Sequence, residues 1–228
     1  MVQVEPPRNH FRLDPGAASY RFIAGGIGVT PIMSMIRWCE ANQKPWHLTY
    51  AARNRQRMAF YEELGRFQEE CVRLHFDDEH GGPLDIPAAL ADVPAGEHIY
   101  CCGPDPLMKA VQAAASHIPV ERVHFEWFTP PEKEEIRDDA EGFWIDLKQS
   151  GTSLYVAPSN TILEVLEENG HSVPFSCREG LCGTCEMTVC EGQPDHRDFV
   201  FSEAEHAGRR SVMVCVSRSK SPRLQLDL

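Results

Sequence analysis

Over the first 129 positions, short runs rich in β-branched and aromatic residues alternate with stretches of helical spacing. Tyr20–Ala24, His47–Ala52, Val72–Asp77, His98–Cys101 and Arg122–Phe128 read as strands. Between them Pro31–Asn42, Ala59–Glu70, Asp85–Ala91 and Pro104–His117 place apolar residues three and four apart and read as helices. Such alternation predicts an α/β unit, a parallel sheet covered on both faces. From residue 142 the pattern changes. Phe143, Ile145 and Leu147 alternate with polar residues, Ser150-Gly151 supplies a turn, and Leu154 and Val156 resume the alternation, which predicts a hairpin. A short helix follows, with Thr161 and Glu164 spaced as a capping box, an apolar stripe of Ile162, Leu163, Val165 and Leu166, and Gly170 to end it. Strands at Glu186–Cys190, Val212–Val216 and Arg223–Asp227 complete a small mixed α+β unit.

Between the two patterns lies Pro130 to Glu141, with six acids, two bases and almost no apolar residues. A double proline followed by self-repelling carboxylates cannot bury a core and reads as an extended linker. The other reading is a solvated helix with pairs between charges three or four residues apart within 132–137. The organisation expected is thus residues 1–129, an acidic linker at 130–141, and residues 142–228. A length of 228 residues suits one large domain or two small ones.

Composition narrows the functional classes. A formal charge of −12 argues against a nucleic-acid partner, since phosphate backbones are gripped by clustered Lys and Arg. No apolar stretch reaches the ~18 residues of a membrane span, and the polar N-terminus does not resemble an export signal. Nine cysteines, an odd number without such a signal, fit a disulfide framework poorly. Metal or redox chemistry in a reducing compartment, the cytoplasm, is the expectation.

Four of those cysteines have an ordered spacing. Cys177-x4-Cys182-x2-Cys185, followed after 29 residues by Cys215, is the arrangement of plant-type [2Fe–2S] ligation. Three thiolates come from one tight loop and the fourth from a later strand. Gly180 and Gly183 let backbone amides turn toward the cluster sulfurs and tune its potential. A structural zinc site would favour two C-x2-C knuckles, and only Cys182-Cys185 has that spacing. A Rieske centre would need two histidines, and none lies inside the loop. Cys39, Cys71 and Cys190 read as packed free thiols.

A second motif joins strand Tyr20–Ala24 to a helix through Gly25-Gly26-Ile27-Gly28-Val29-Thr30-Pro31. A Gly-rich turn at a helix N-terminus offers unpaired amides and a positive dipole end to a pyrophosphate. It departs from the G-x-G-x-x-G spacing, and such turns are also common as purely structural features. Cys102-Gly103-Pro104, after a later strand and again opening a helix, strengthens the reading. Two loops at the carboxyl ends of parallel strands form a ligand crevice. Arg53, Asn54, Arg55 and Arg57 follow the second strand, where an adenosine ribose or its phosphate could be held, or where they would form only a solvated turn.

Together with His124-Phe125-Glu126-Trp127-Phe128 and Asp195-His196-Arg197-Asp198, these motifs resemble the phthalate dioxygenase reductase family, and within it the vanillate demethylase reductase type. That family joins an FMN-binding barrel, an NAD-binding domain of the ferredoxin–NADP reductase type and a β-grasp plant-type ferredoxin domain. The resemblance covers about His10 to Leu228. It implies that Gly25, Gly26 and Gly28 lie against the coenzyme pyrophosphate. Thr30 and Cys102 would sit near the nicotinamide, Pro31, Arg53, Gly103 and Pro104 would line the coenzyme site, and Phe128 would stack near the flavin. NADH is the usual donor of this family, and the arginine turn leaves NADPH open.

The resemblance also sets an expectation about the flavin. Nicotinamide gives two electrons as hydride, a [2Fe–2S] cluster takes one at a time, and FMN normally divides the pair. Only nine residues precede His10, so the 228 residues read as a piece of a longer reductase or half of a split one. They would depend on a flavin-binding domain or flavoprotein to pass electrons to the cluster and on to a terminal Rieske-type oxygenase. Two other readings are a non-catalytic carrier whose nucleotide-binding-like unit is a docking platform, and a zinc-stabilised structural protein.

Overall fold

The computed structural model describes residues 9–129 and 141–228, so most of the acidic stretch 130–141 lies outside the described residues. Two compact units emerge, Phe11–Phe128 and one built on Thr129–Leu228.

The first unit is a five-stranded, all-parallel sheet: β1 (Ser19–Gly25), β2 (Trp46–Ala52), β3 (Val72–Phe76), β4 (Glu97–Cys102) and β5 (Val123–Glu126), in the order β3-β2-β1-β4-β5. Alternation along β1 feeds both faces, as the two-residue strand period requires. Tyr20, Phe22 and Ala24 join one buried cluster with helix α1 (Val29–Ala41), while Ile23 points to the other face, with Ile99, Cys101, Met108 and Val111. α1 buries Val29, Ile32, Met33, Ile36 and Cys39 along one stripe. Each such large side chain removed from water stabilises the fold by roughly 1.5–3 kcal/mol.

The remaining helices are α2 (Tyr61–Leu64), α3 (Asp77–His80), α4 (Ile86–Ala89) and α5 (Asp105–Ala114). The helix expected over Ala59–Glu70 shrinks to the single turn of α2. Phe60 takes the left-handed conformation at φ 59°, ψ 18° and starts the turn, and Phe67 leaves it to pack edge-on against Trp46. A left-handed phenylalanine costs about 1–3 kcal/mol and persists only where its surroundings impose it.

At the amino ends of the strands, Arg21 spans β1 and β4. Its Nε meets the buried Glu97 carboxylate at 2.8 Å, and its Nη atoms donate to the Ala89 and Asp92 carbonyls.

The second unit opens with the expected hairpin of β6 (Phe143–Leu147) and β7 (Thr152–Val156). Next come α6 (Ile162–Glu168), β8 (Glu186–Glu191), β9 (Pro194–Asp195), α7 (Glu203–Gly208), β10 (Ser211–Met213), β11 (Arg218–Ser219) and β12 (Arg223–Leu226). The main sheet runs β10-β8-β12-β6-β7, with β12 and β6 parallel and its other pairs antiparallel. α6 packs its apolar stripe into this core, and its capping box forms as read, with the Glu164 amide on Thr161 Oγ1 at 3.1 Å and the Thr161 amide on Glu164 Oε2 at 2.8 Å. Among the described residues no helix is long and apolar enough to cross a membrane.

Candidate functional site

The order β3-β2-β1-β4-β5 reverses direction between β1 and β4, the switch point where open α/β sheets bind ligands at the strands' carboxyl ends. Both glycine-bearing loops emerge there and touch. A Cβ on Gly28 would lie 2.2 Å from the Cys102 carbonyl oxygen, and one on Gly103 would lie 2.9 Å from the Gly25 amide nitrogen. Glycine at 28 and 103 is thus dictated by contact of one loop with the other, which builds the crevice floor from backbone.

Thr30 and Pro31 occupy the first turn of α1, where amide hydrogens have no intrahelical acceptor, so proline loses nothing. The Thr30 hydroxyl donates to the Ile27 carbonyl at 2.9 Å. Pro104 occupies the position before α5, whose first residue is Asp105.

Cys102 is buried, with its thiol pushed up to about 12 by burial and then by Glu126. It stays a neutral thiol, which fits a packing and positioning role rather than nucleophilic chemistry. Glu126 was not singled out by the sequence as a site residue. Parallel pairing sets it beside Cys102 across the β4–β5 ladder, and burial raises its carboxyl above the usual range. Phe128, two residues on, is 49% exposed.

The arginine turn divides into two kinds of residue. Arg55 lies 5.1 Å from the centres of the Tyr61 and Phe76 rings and donates to the Tyr61 hydroxyl, so its guanidinium is committed locally. Asn54 caps the turn by accepting the Arg57 amide. Arg53 and Arg57 are exposed, and the Arg53 carbonyl accepts the Asp78 amide, joining this turn to the acidic one after β3.

In the second unit the four cysteines of the motif come together as two pairs. Cys177 lies close enough to Cys182, and Cys215 to Cys185, for each to influence its neighbour's thiol. Burial opposes ionisation of Cys182, but hydrogen bonds from the Cys177 amide and from Thr184 together hold its thiol below the ordinary range. The proximity of the two thiols lowers Cys185 and raises Cys215, with burial adding to the rise of Cys215. Gly180, at φ +73°, turns the chain so that the Glu179 and Leu181 amides both donate to Cys177 Sγ at 3.4 Å. Cys215 does not lie on a strand as expected. β10 stops at Met213, whose carbonyl accepts the Val216 and Ser217 amides, and the resulting turn carries Cys215 to Cys185.

Two pairs of thiols with inward amides fit a binuclear cluster, which places two thiolates on each iron. A single tetrahedral zinc would need all four sulfurs about 3.8 Å apart at a Zn–S distance of 2.3 Å. Among the described residues, the ligand atoms that all approach within 4.8 Å of one another are those of His196, Asp198 and His206 instead. That trio does not read as a metal site. Its imidazoles stack with centroids 4.1 Å apart and planes at 6°, so their in-plane lone pairs run parallel and do not converge. Asp198, its carboxylate buried, bonds His206 Nε2 at 3.1 Å and the Val200 amide at 3.3 Å. Its backbone packs behind Gly180, and Phe199 donates to the Gly180 carbonyl, so the trio braces the cysteine loop.

Comparison with known proteins agrees with both halves. Residues 22–113 match an oxidoreductase NAD-binding domain and residues 145–220 a 2Fe-2S iron-sulfur cluster binding domain. The whole chain is 43% identical to phenoxybenzoate dioxygenase subunit beta of Ectopseudomonas oleovorans, of which it spans 70%. It is 39% identical to phthalate dioxygenase reductase of Burkholderia cepacia, again along its full length and over 70% of that protein. An intact type IV self-sufficient cytochrome P450 monooxygenase superposes at a TM-score of 0.91 and 39% identity, over 97% of this chain and 29% of the larger one. Identity at this level through both domains decides the classification: the chain belongs to the phthalate dioxygenase reductase-like family, as an NAD(P)H-dependent electron-transfer oxidoreductase with an NAD-binding and a [2Fe–2S] domain.

Proposed function

We propose that this chain takes electrons from NADH or NADPH, by way of a flavin held outside its two domains, to a [2Fe–2S] cluster and on to a terminal Rieske-type oxygenase. The observation that carries the reading is the paired arrangement of Cys177 with Cys182 and Cys185 with Cys215, on the same chain as a crevice at the β1–β4 switch point. Relatives at about 40% identity are named as parts of oxygenase systems, which supports the acceptor class.

In this reading Gly25, Gly26 and Gly28 present the loop backbone and the N-terminus of α1 to the coenzyme pyrophosphate. Thr30, Pro31, Gly103 and Pro104 shape the walls, with Cys102 beneath the nicotinamide as a neutral, apolar support. Arg53 and Arg57 reach the adenosine end. Phe128 presents its exposed face to the isoalloxazine of FMN, supplied by a flavin-binding domain or flavoprotein. Cys177, Cys182, Cys185 and Cys215 hold the cluster, and the Glu179 and Leu181 amides offset its negative charge. The cluster, when bound, accepts and releases one electron at a time. The acidic stretch 130–141 serves as the linker between domains 1–129 and 142–228. Nine cysteines, none of them in a disulfide, suit the reducing cytoplasm.

Metal analysis with electron paramagnetic resonance tests the assignment. The expected result is about two irons and two acid-labile sulfides per chain, with a paramagnetic signal after dithionite reduction. A colourless protein holding one zinc on these cysteines would overturn it.

A further inference from the structure

Tyr50 is wholly buried on β2, where it pairs with Ala24 while the next residue pairs with Gly25. Its ring belongs to the core, but its hydroxyl serves the glycine loop. That hydroxyl accepts the Ala59 amide at 3.2 Å and donates to the Gly26 carbonyl at 2.8 Å. The first bond orients the second. With a lone pair committed to an amide that can only donate, the phenolic proton is directed to Gly26. Burial raises the hydroxyl's pKa, so it remains a donor across the physiological range.

The consequence lies on the opposite side of the peptide. In a planar trans peptide the C=O and N–H point in opposite directions. Holding the Gly26 carbonyl inward against Tyr50 turns the Ile27 amide outward, at the mouth of α1, where Ile27 itself is 63% exposed. Gly26 has φ +54°, a left-handed conformation that glycine adopts without strain, and a Cβ there would meet no atom within 4 Å. The Val29 amide also bonds the Gly26 carbonyl from within the loop, and Tyr50 adds a tether from the sheet.

We propose that Tyr50 is a positioning residue for the coenzyme: its hydroxyl locks the Gly26–Ile27 peptide so that the Ile27 amide faces the pyrophosphate. The inference rests on the reading that the glycine loop holds the coenzyme, and its test separates the two ideas.

Tyr50→Phe removes one oxygen and keeps the ring. Calorimetric titration of the full chain with NADH, ADP-ribose and adenosine is compared between wild type and variant, with thermal melting alongside. Loss of one oriented amide–phosphate hydrogen bond weakens NADH and ADP-ribose by about tenfold and leaves adenosine, which has no phosphate, unchanged. In the wild type, the Ile27 amide resonance shifts on adding ADP-ribose. Equal ADP-ribose affinity in both proteins overturns the role of Tyr50 and leaves the glycine-loop reading standing. Parallel weakening of adenosine overturns it too, since a generally loosened fold would then explain the loss. An Ile27 amide that ignores bound ADP-ribose overturns it without any variant, should Tyr50→Phe fail to fold. A wild type that binds neither NADH nor ADP-ribose removes the underlying reading as well.

Discussion

The two units prepare their sites in contrasting ways. In Phe11–Phe128 the crevice is backbone: two loops at the carboxyl edge of a fully paired parallel sheet, pressed together at Gly28 and Cys102. In Thr129–Leu228 the site is side chain: four thiols on a loop and a turn, with backbone amides turned toward the Cys177 sulfur. The first kind of site is complete before its ligand arrives, because the sheet holds it. The second is complete only with its cluster, because unbridged thiols bond weakly and the chain around them is irregular. Ligand dependence therefore belongs to one unit and not to the other, and each perturbation below should register in one unit alone.

The largest effect is expected from the four cysteines proposed to hold the cluster. Cys185→Ser, or removal of iron by a chelator, should destabilise the second unit by on the order of 5 kcal/mol or more, as metal binding and folding are coupled. Calorimetry should show one transition moving far down and the other, from the sheet unit, holding its place. Simultaneous loss of both would break the contrast.

Next comes Arg21→Met, at the end of the sheet remote from the crevice. It strands the buried Glu97 carboxylate and two carbonyls. Breaking a buried pair of this kind costs about 3 kcal/mol. NADH affinity measured well below the melting temperature should not change. Gly28→Ala should do the reverse. Its Cβ would sit 2.2 Å from the Cys102 carbonyl oxygen, which costs about 2 kcal/mol and opens the two loops. NADH binding should fall by more than the change in melting temperature suggests.

The smallest effects are pH-dependent and opposite in sign. Glu126, raised by burial, favours the folded state in its protonated form, and that contribution is lost as pH rises through its folded pKa. Glu126→Gln should therefore match wild type in acid and melt higher than wild type near neutrality. Asp146 is held down to about 2 by hydrogen bonds from Arg223 and Ser153. Its contribution is present above the ordinary carboxylate range and lost as pH falls toward 2. Asp146→Asn should cost ~0.2–1 kcal/mol at pH 7, as the pair is largely exposed, and nothing near pH 2. Melting curves of both variants from pH 2 to 8 check the two signs.

Local features were legible in the sequence because their chemistry is local. The cysteine spacing, the β1–loop–α1 passage, the Thr161–Glu164 box and the hairpin at Gly151 each lie within a dozen or so neighbouring residues, apart from Cys215. Features that arise from strand pairing were not legible. Glu126 reaches Cys102 only through the β4–β5 register, and Tyr50 reaches Gly26 only because β2 lies beside β1. The helix expected at Ala59–Glu70 failed for a related reason. Tyr61, Leu64 and Phe67 keep helical spacing, yet tight turns bury them equally well once Trp46 supplies the partner surface. Cys215 reads from its spacing as the fourth thiol, but its place in a turn beyond β10 follows from the Met213 carbonyl, which composition cannot reveal.

Anaerobic mixing of the reconstituted 228-residue chain with NADH, followed by visible absorption of the cluster, tests the central claim most directly. With coenzyme in one unit and cluster in the other, and the flavin supplied from elsewhere, NADH alone should leave the cluster oxidised. Adding a flavoprotein that accepts hydride from NADH should then bleach it within seconds to minutes. Rapid bleaching by NADH alone, with no flavin present, would contradict the account.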